Sequence, residues 1–167
     1  MNADAIKPLI DRYEAGSDIL VYAIQQLSHE QETARIGPGE WTVAELVAHL
    51  LDADLVLADR MKRIIAEDNP TLLAFDENLW LKRLRSGEQP LEEAVNLFVA
   101  NRHWMTRLLR SLSPEDFARS GTHSEAGRKT LADVVSTAAG HVDHHLVFLY
   151  GKRANLGTSL YPRYSTD

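Results

Sequence analysis

His141 and His145 stand four residues apart in a stretch where Leu131, Val134, Ala138, His141, His145 and Phe148 recur at helical spacing. Both imidazoles therefore occupy the apolar stripe of one helix, one turn apart on one face. Side chains at i and i+4 are close enough to share an ion. The plainer reading is a pair of core histidines bonded locally, but two adjacent buried imidazoles need several polar partners. His49 lies at the edge of a second apolar stripe, between Leu46 and Ala53. Alone it reads as a satisfied, half-buried histidine. Joined to His141 and His145 across a core, it completes three nitrogen ligands. Three protein ligands with an open position form a catalytic metal arrangement, not a closed structural one.

The other histidines fall outside this set. His144 lies about 60° from His141 on the helical wheel, where it flanks the site or faces a neighbouring helix or partner chain. His123 sits in the loop before that helix and can reach over a bundle mouth, though a structural loop histidine is the plainer reading. His103 and His29 lie off the stripes and read as surface residues. Glu45 and Asp52, one turn either side of His49, are candidates to orient its ring through the second nitrogen; otherwise they are solvated carboxylates. With His123 and His144 they make up the candidate catalytic residues. No histidine follows a glutamate by three residues, so the Glu-x-x-His signature of di-iron bundles is missing. No P-loop, GxGxxG or GxSxG motif is present.

Four long helices are expected to position these residues. The first spans about Ala3 to Leu27 and ends in a polar linker through Gly37-Pro38-Gly39. The second opens with the capping box Thr42-Val43-Ala44-Glu45 and ends near Glu67, before Asp68-Asn69-Pro70. Residues 71–89 read as a mixed connection with a short helix near Trp80–Leu84. Its length is unusual for a simple up-down bundle and points to a crossover or a lid. Pro90 starts the third helix, with Leu91, Ala94, Leu97, Phe98, Asn101, Trp104, Met105, Leu108 and Leu112 on one face. Ser113-Pro114-Glu115-Asp116 caps a single short turn. Residues 119–129, polar and glycine-containing, read as loop. Thr130 caps the fourth helix, from Leu131 to about Tyr150, and residues 151–167 read as a loosely held tail. With no convincing period-2 stretch, the expected fold is an all-α four-helix bundle in a single domain over 1–167.

Composition narrows the function. Eighteen Lys plus Arg against 24 Asp plus Glu leave a formal net charge of −6, which argues against a nucleic-acid partner. Cysteine is lacking, which removes disulfides, thiolate zinc sites and a cysteine nucleophile together. The charged, amphipathic N-terminus lacks an apolar leader segment, and no apolar run approaches membrane-spanning length. A soluble, cytoplasmic protein with no membrane partner is expected.

Three blocks carry a family resemblance. Gly39-Glu40-Trp41-Thr42 through His49-Leu50-Leu51-Asp52 resembles the Trp-Thr/Ser … His-x-x-Asp block of the DinB/YfiT-like superfamily. His123-Ser124-Glu125-Ala126-Gly127 through Thr130-Leu131 is similar to its His-Pro-Glu-x-Gly … Thr-Leu loop, with Ser124 in the usual place of proline. Gly140-His141-Val142-Asp143-His144-His145 resembles its His-x-x-His-His block. The matches come in family order. The resemblance implies a four-helix bundle, often a homodimer, with one divalent metal on His49, His141 and His145. It also implies activities ranging from thiol-dependent S-transfer and mycothiol-dependent isomerisation to metal-dependent hydrolysis.

The leading expectation is a metal-dependent enzyme acting on a small-molecule substrate, with thiol transfer ahead of hydrolysis. A Zn²⁺ or Ni²⁺ ion on three neutral imidazoles keeps its charge and an open position. It can acidify a low-molecular-weight thiol or a water. Because the chain has no cysteine, the sulfur would come from that thiol cofactor. The alternative from another class is a non-catalytic bundle, in which an ion only fixes the helices of a stress-response binding module.

Overall fold

Serine and threonine hydroxyls start three of the helices by one device. Ser28, Thr42 and Thr130 each accept from a backbone N–H three residues on, and Gln31, Glu45 and Asp133 return the bond. The computed structural model describes residues 3–166; residues 1 and 2, part of the charged N-terminus read above, lie outside it. In chain order it contains α1 (Ala3–Ile24), α2 (His29–Thr33), α3 (Val43–Ala66), β1 (Thr71–Leu72), α4 (Glu77–Leu84), α5 (Leu91–Arg110), β2 (Ser120–His123), β3 (Gly127–Thr130) and α6 (Leu131–Asn155).

The four long helices form a bundle, as the apolar stripes predict. Both α1 and α3 pack against α5 and α6. So α1 lies diagonally across from α3, and α5 across from α6. Chain neighbours thus cross the bundle twice, at the α1–α3 and α5–α6 connections. The long connection after α3, expected as a crossover or a lid, joins two adjacent helices and lays α4 against α3.

Two apolar clusters fill the interior. One gathers Ile10, Tyr13, Met61, Met105 and Leu131. The other gathers Leu20, Leu46, Phe98, Leu146 and Leu149. Between Phe98 and Met105 on α5 stands Arg102, 1% exposed. Its Nε donates to Asp54 Oδ1 on α3 at 2.9 Å, Nη1 to the Tyr13 carbonyl on α1 at 2.7 Å, and Nη2 to the Ala138 carbonyl on α6 at 2.7 Å. One guanidinium thereby links all four long helices. Gly16 makes room for it, since a Cβ there would lie 2.3 Å from Nη1. Asn101 donates to the other Asp54 oxygen at 2.7 Å. Burial pushes the Asp54 carboxyl up, against the pull of Arg102 and Asn101.

Several local expectations change. Residues 119–129 are not loop: Ser120–His123 pairs antiparallel with Gly127–Thr130, and Thr71–Leu72 adds in parallel. These strands are short and polar, so apolar alternation could not reveal them. The segment 151–167 is not loosely held through its described residues. α6 continues to Asn155, and Arg153 Nη1 donates to the carbonyls of Ala23 and Gln25 at 3.2 and 3.0 Å. Further on, Ser165 N donates to Asp143 at 2.7 Å. α1 stops at Ile24 rather than Leu27, with Gln26 at φ 60. Leu97, Trp104 and Phe148, placed on buried stripes by spacing, are 58%, 62% and 51% exposed. No helix among the described residues is long and apolar enough to cross a membrane.

Removing one member of the Arg102–Asp54 pair leaves the other as an uncompensated buried charge. Arg102→Ala is expected to cost about 3–5 kcal/mol of unfolding free energy. The double change Arg102→Met with Asp54→Leu should cost far less. Urea denaturation of the three proteins checks the difference.

Candidate metal centre

Gly39, at φ 76, turns the chain ahead of Trp41 and the Thr42 cap. That cap sets the register of α3 and puts His49 two turns into the helix. The Thr130 cap does the same for α6, where His141 and His145 face the adjacent α3. Their Nε2 atoms meet those of His49 in an equal triangle, each pair 3.1 Å apart. His49 is 2% exposed, and the other two are half-buried.

This triangle is hard to satisfy with protons. Each ring nitrogen is either a donor or an acceptor. Three nitrogens meeting at equal distances cannot all form linear hydrogen bonds with one another. A divalent cation resolves the conflict. Bonds of about 2.0–2.1 Å put nitrogens about 2.9 Å apart at right angles and about 3.35 Å apart at tetrahedral angles, and the 3.1 Å spacing falls between them. Electrostatics agree. Burial, then the charges of His145, His49 and Arg102, pushes His141 down to about 3. Burial and the neighbouring imidazoles push His145 down to about 4, and burial lowers His49. All three rings are neutral near pH 7, with lone pairs available. Among the described residues no other group of three or more His, Asp or Glu side chains converges in this way.

The surroundings sort the remaining candidates. Asp52 accepts from Ser86 Oγ at 3.3 Å, and burial raises its pKa against the pull of that bond. Glu45 is engaged elsewhere: one oxygen completes the Thr42 cap and the other takes Arg35 at 2.7 Å. His144 is exposed and packs edge-on against His145 and Phe148, at 5.0 and 5.1 Å between ring centroids. His123 ends β2, and its Nδ1 accepts from the backbone N–H groups of Glu125 and Ala126 at 3.2 Å. The ring therefore shapes the hairpin turn. Ser124, in the usual place of proline, donates its N–H to the Leu72 carbonyl at 3.0 Å. Its Oγ accepts from Ala74 N at 2.9 Å. Proline has no N–H for the first of these bonds.

Two neighbours of the triangle, Glu77 and Trp41, were not among the candidate site residues, although Trp41 stands in the first of the three family blocks. Glu77 Oε2 lies 3.6 Å from His49 Nε2 and is half exposed. The signal for it was Asp76, whose side chain accepts from Leu79 N and starts α4 four residues ahead of Trp80. Trp41 stacks on His145, with planes 12° apart and centroids 6.3 Å apart.

Fold and site together define a helical bundle built around a histidine cluster. The chain belongs to the DinB superfamily, whose profile matches residues 12–149. This bears out the resemblance read from the three sequence blocks. A protein of Oceanobacillus iheyensis named "Putative metal-dependent hydrolase" is 31% identical over 145 residues, covering 86% of this chain and 83% of that one. A Bacillus mycoides protein with the same description is 30% identical over 138 residues, covering 82% and 79%. Among solved structures, YfiT of Bacillus subtilis, described as "a probable metal-dependent hydrolase with an unusual four-helix bundle topology", superposes with a TM-score of 0.87. It is 23% identical and covers 95% of this chain and 91% of YfiT. The likeness to YfiT shows the fold.

Depressed imidazole pKa values carry a pH signature in metal-free protein. The unfolded rings take up protons below about pH 6.5, which the folded rings accept only near pH 3–4. The unfolded state thus binds more protons, and stability falls as pH drops from 6.5 towards 4. Urea midpoints in chelator at pH 7.5 and 5.0 should show this loss. His141→Phe should shrink it.

Proposed function

We propose that this protein is a metal-dependent enzyme that activates a small nucleophile on one divalent ion held by His49, His141 and His145, and that it hydrolyses a small molecule. The observation that carries the reading is the triangle of neutral imidazole nitrogens, 3.1 Å apart, with the Glu77 carboxylate 3.6 Å from one corner. The names of the curated relatives point the same way. Zn²⁺ and Ni²⁺ both suit an all-imidazole donor set.

When bound, such an ion supplies positive charge that acidifies a water or a thiol beside it. The chain does the rest. His49, His141 and His145 contribute no negative charge, so the acidifying field is not diminished. Glu77 accepts a hydrogen bond from the nucleophile and takes up the proton it releases. Trp41 holds the His145 ring by stacking. Arg102, bonded one turn before His141 at the Ala138 carbonyl, fixes the height of α6 against α3.

Thiol transfer is the second reading. The same neutral donor set acidifies a thiol, and the absence of cysteine from the chain assigns the sulfur to a separate low-molecular-weight thiol. Thiol-consumption and ester- or amide-hydrolysis assays on metal-loaded protein separate the two. Inactivity of loaded protein in both supports the non-catalytic bundle instead. A two-fold homodimer is part of the proposal, supported by Leu97 and Trp104, exposed and two turns apart on α5.

Calorimetric titration with Zn²⁺ should give one ion per chain. His141→Ala should lower the affinity by a hundred-fold or more, whereas His144→Ala should leave it unchanged. Equal affinity in His141→Ala and wild type would remove the proposed centre. Glu77→Gln should keep the metal and lose about 10²–10⁴-fold in turnover, the usual contribution of a positioned acid or base. Activity at the wild-type level in that variant removes Glu77 from the mechanism.

A further inference from the structure

Between the outer face of α3 and the segment that carries β1 into α4 lies a groove of about 810 Å³. One end is marked by Asp52, three residues past His49, and by Asp76, the residue before Glu77. The histidines themselves do not line the groove; Asp52, whose charge acts on His49, is its link to the triangle. Arg60 stands at the other end, eight residues further along α3, or about 12 Å of helix. The walls between are apolar: Leu55, Phe75, Leu79 and Trp80 line them, with the Phe75 and Trp80 rings 4.8 Å apart. Leu55 and Leu79 are still 45% and 40% exposed. Apolar side chains left in contact with water around a concave surface are the usual lining of a ligand site.

At the far end the guanidinium feels the charge of Asp59 beside it but is in ion-pair contact with no carboxylate among the described residues. Arg60 Nη2 donates to the Leu73 carbonyl at 2.6 Å. Its Nε is buried without an acceptor, and Arg60 enters no ion pair among the described residues. The nearby carboxylates are engaged. Asp59 accepts from Arg63 at 2.8 Å, and Asp76 accepts from Leu79 N at 2.9 Å. Burial lowers the Arg60 pKa against the opposing charge of Asp59, and His123, on the neighbouring hairpin, feels the Arg60 charge. A half-buried guanidinium with no carboxylate in ion-pair contact is a receptor for an anion.

We infer that this groove is the substrate subsite of the proposed metal centre, and that it takes an elongated amphipathic molecule. The apolar body lies between α3 and Phe75–Trp80, a terminal carboxylate pairs with Arg60, and the reacting group lies at the histidine end. The inference rests on the proposed function for the identity of that reacting end, but the binding it requires is independent of the metal. Arg60 is a specificity residue here, remote from the reacting atoms.

The test is calorimetry on the full chain stripped of metal by chelator, so that no carboxylate can ligate an ion. The probes are decanoate, decanol and decyltrimethylammonium, which share one apolar body and differ in terminal charge. Decanoate should bind at least ten-fold more tightly than either of the others. Arg60→Met, which keeps the aliphatic stem, should abolish that preference and leave decanol unchanged. Phe75→Ala should weaken decanoate and decanol alike. Binding of the alcohol or the ammonium as tight as that of decanoate overturns the inference from wild-type protein alone, whether or not the variants fold. An unchanged decanoate preference in folded Arg60→Met overturns it as well. Either result leaves the Zn²⁺ titration of the histidine centre standing on its own.

Discussion

The Arg102–Asp54 pair sets the heights at which the long helices meet. A buried charge is tolerated only where it is paired and its remaining donors are satisfied. Arg102 meets that condition through a carboxylate on α3 and backbone carbonyls on α1 and α6. Slipping any of these helices by one turn would strand the guanidinium in an apolar core. Asp54 follows His49 by five residues, and Ala138 precedes His141 by three. The constraint that holds the bundle in register therefore lies about one turn below the point where three imidazoles converge.

Convergence decides the chemistry. A lone histidine on an apolar face can hide one nitrogen against a carbonyl. Three that share one point cannot all be satisfied by hydrogen bonds, and burial keeps them uncharged. The arrangement is strained as a polar network and relaxed as a ligand set. The positive guanidinium beneath it lowers the proton affinity of His141 further. In the proposed centre a cation brings its charge to these lone pairs, where a proton on any one ring is disfavoured. Around this centre the chain places one carboxylate, Glu77, from a short helix outside the bundle.

Much of this was legible in the residue order. The caps at Thr42 and Thr130 and the apolar stripes behind them are local signals, so the starts of α3 and α6 and the phase of His49, His141 and His145 followed directly. What escaped was held by contacts that leave no periodic trace. The β2–β3 hairpin is built from polar residues and a glycine, and its reason for being is a ladder of backbone bonds. Residues beyond Tyr150 are tied by side chains to distant carbonyls, as Arg153 is to Ala23. Arg102 drew no expectation from the sequence, because its partners come from three other helices. Glu77 was hidden by a misjudged helix start, since the Asp76 cap lies in a stretch with little hydrophobic pattern.

X-ray absorption at the metal edge, on protein loaded with one equivalent of Zn²⁺, tests the histidine centre most directly. Three imidazole nitrogens at about 2.0–2.1 Å, with their outer-ring scattering and a lighter non-protein ligand in the remaining position, are the predicted result. A shell with fewer than three imidazoles, or one unchanged when His141 is replaced by alanine, would contradict it.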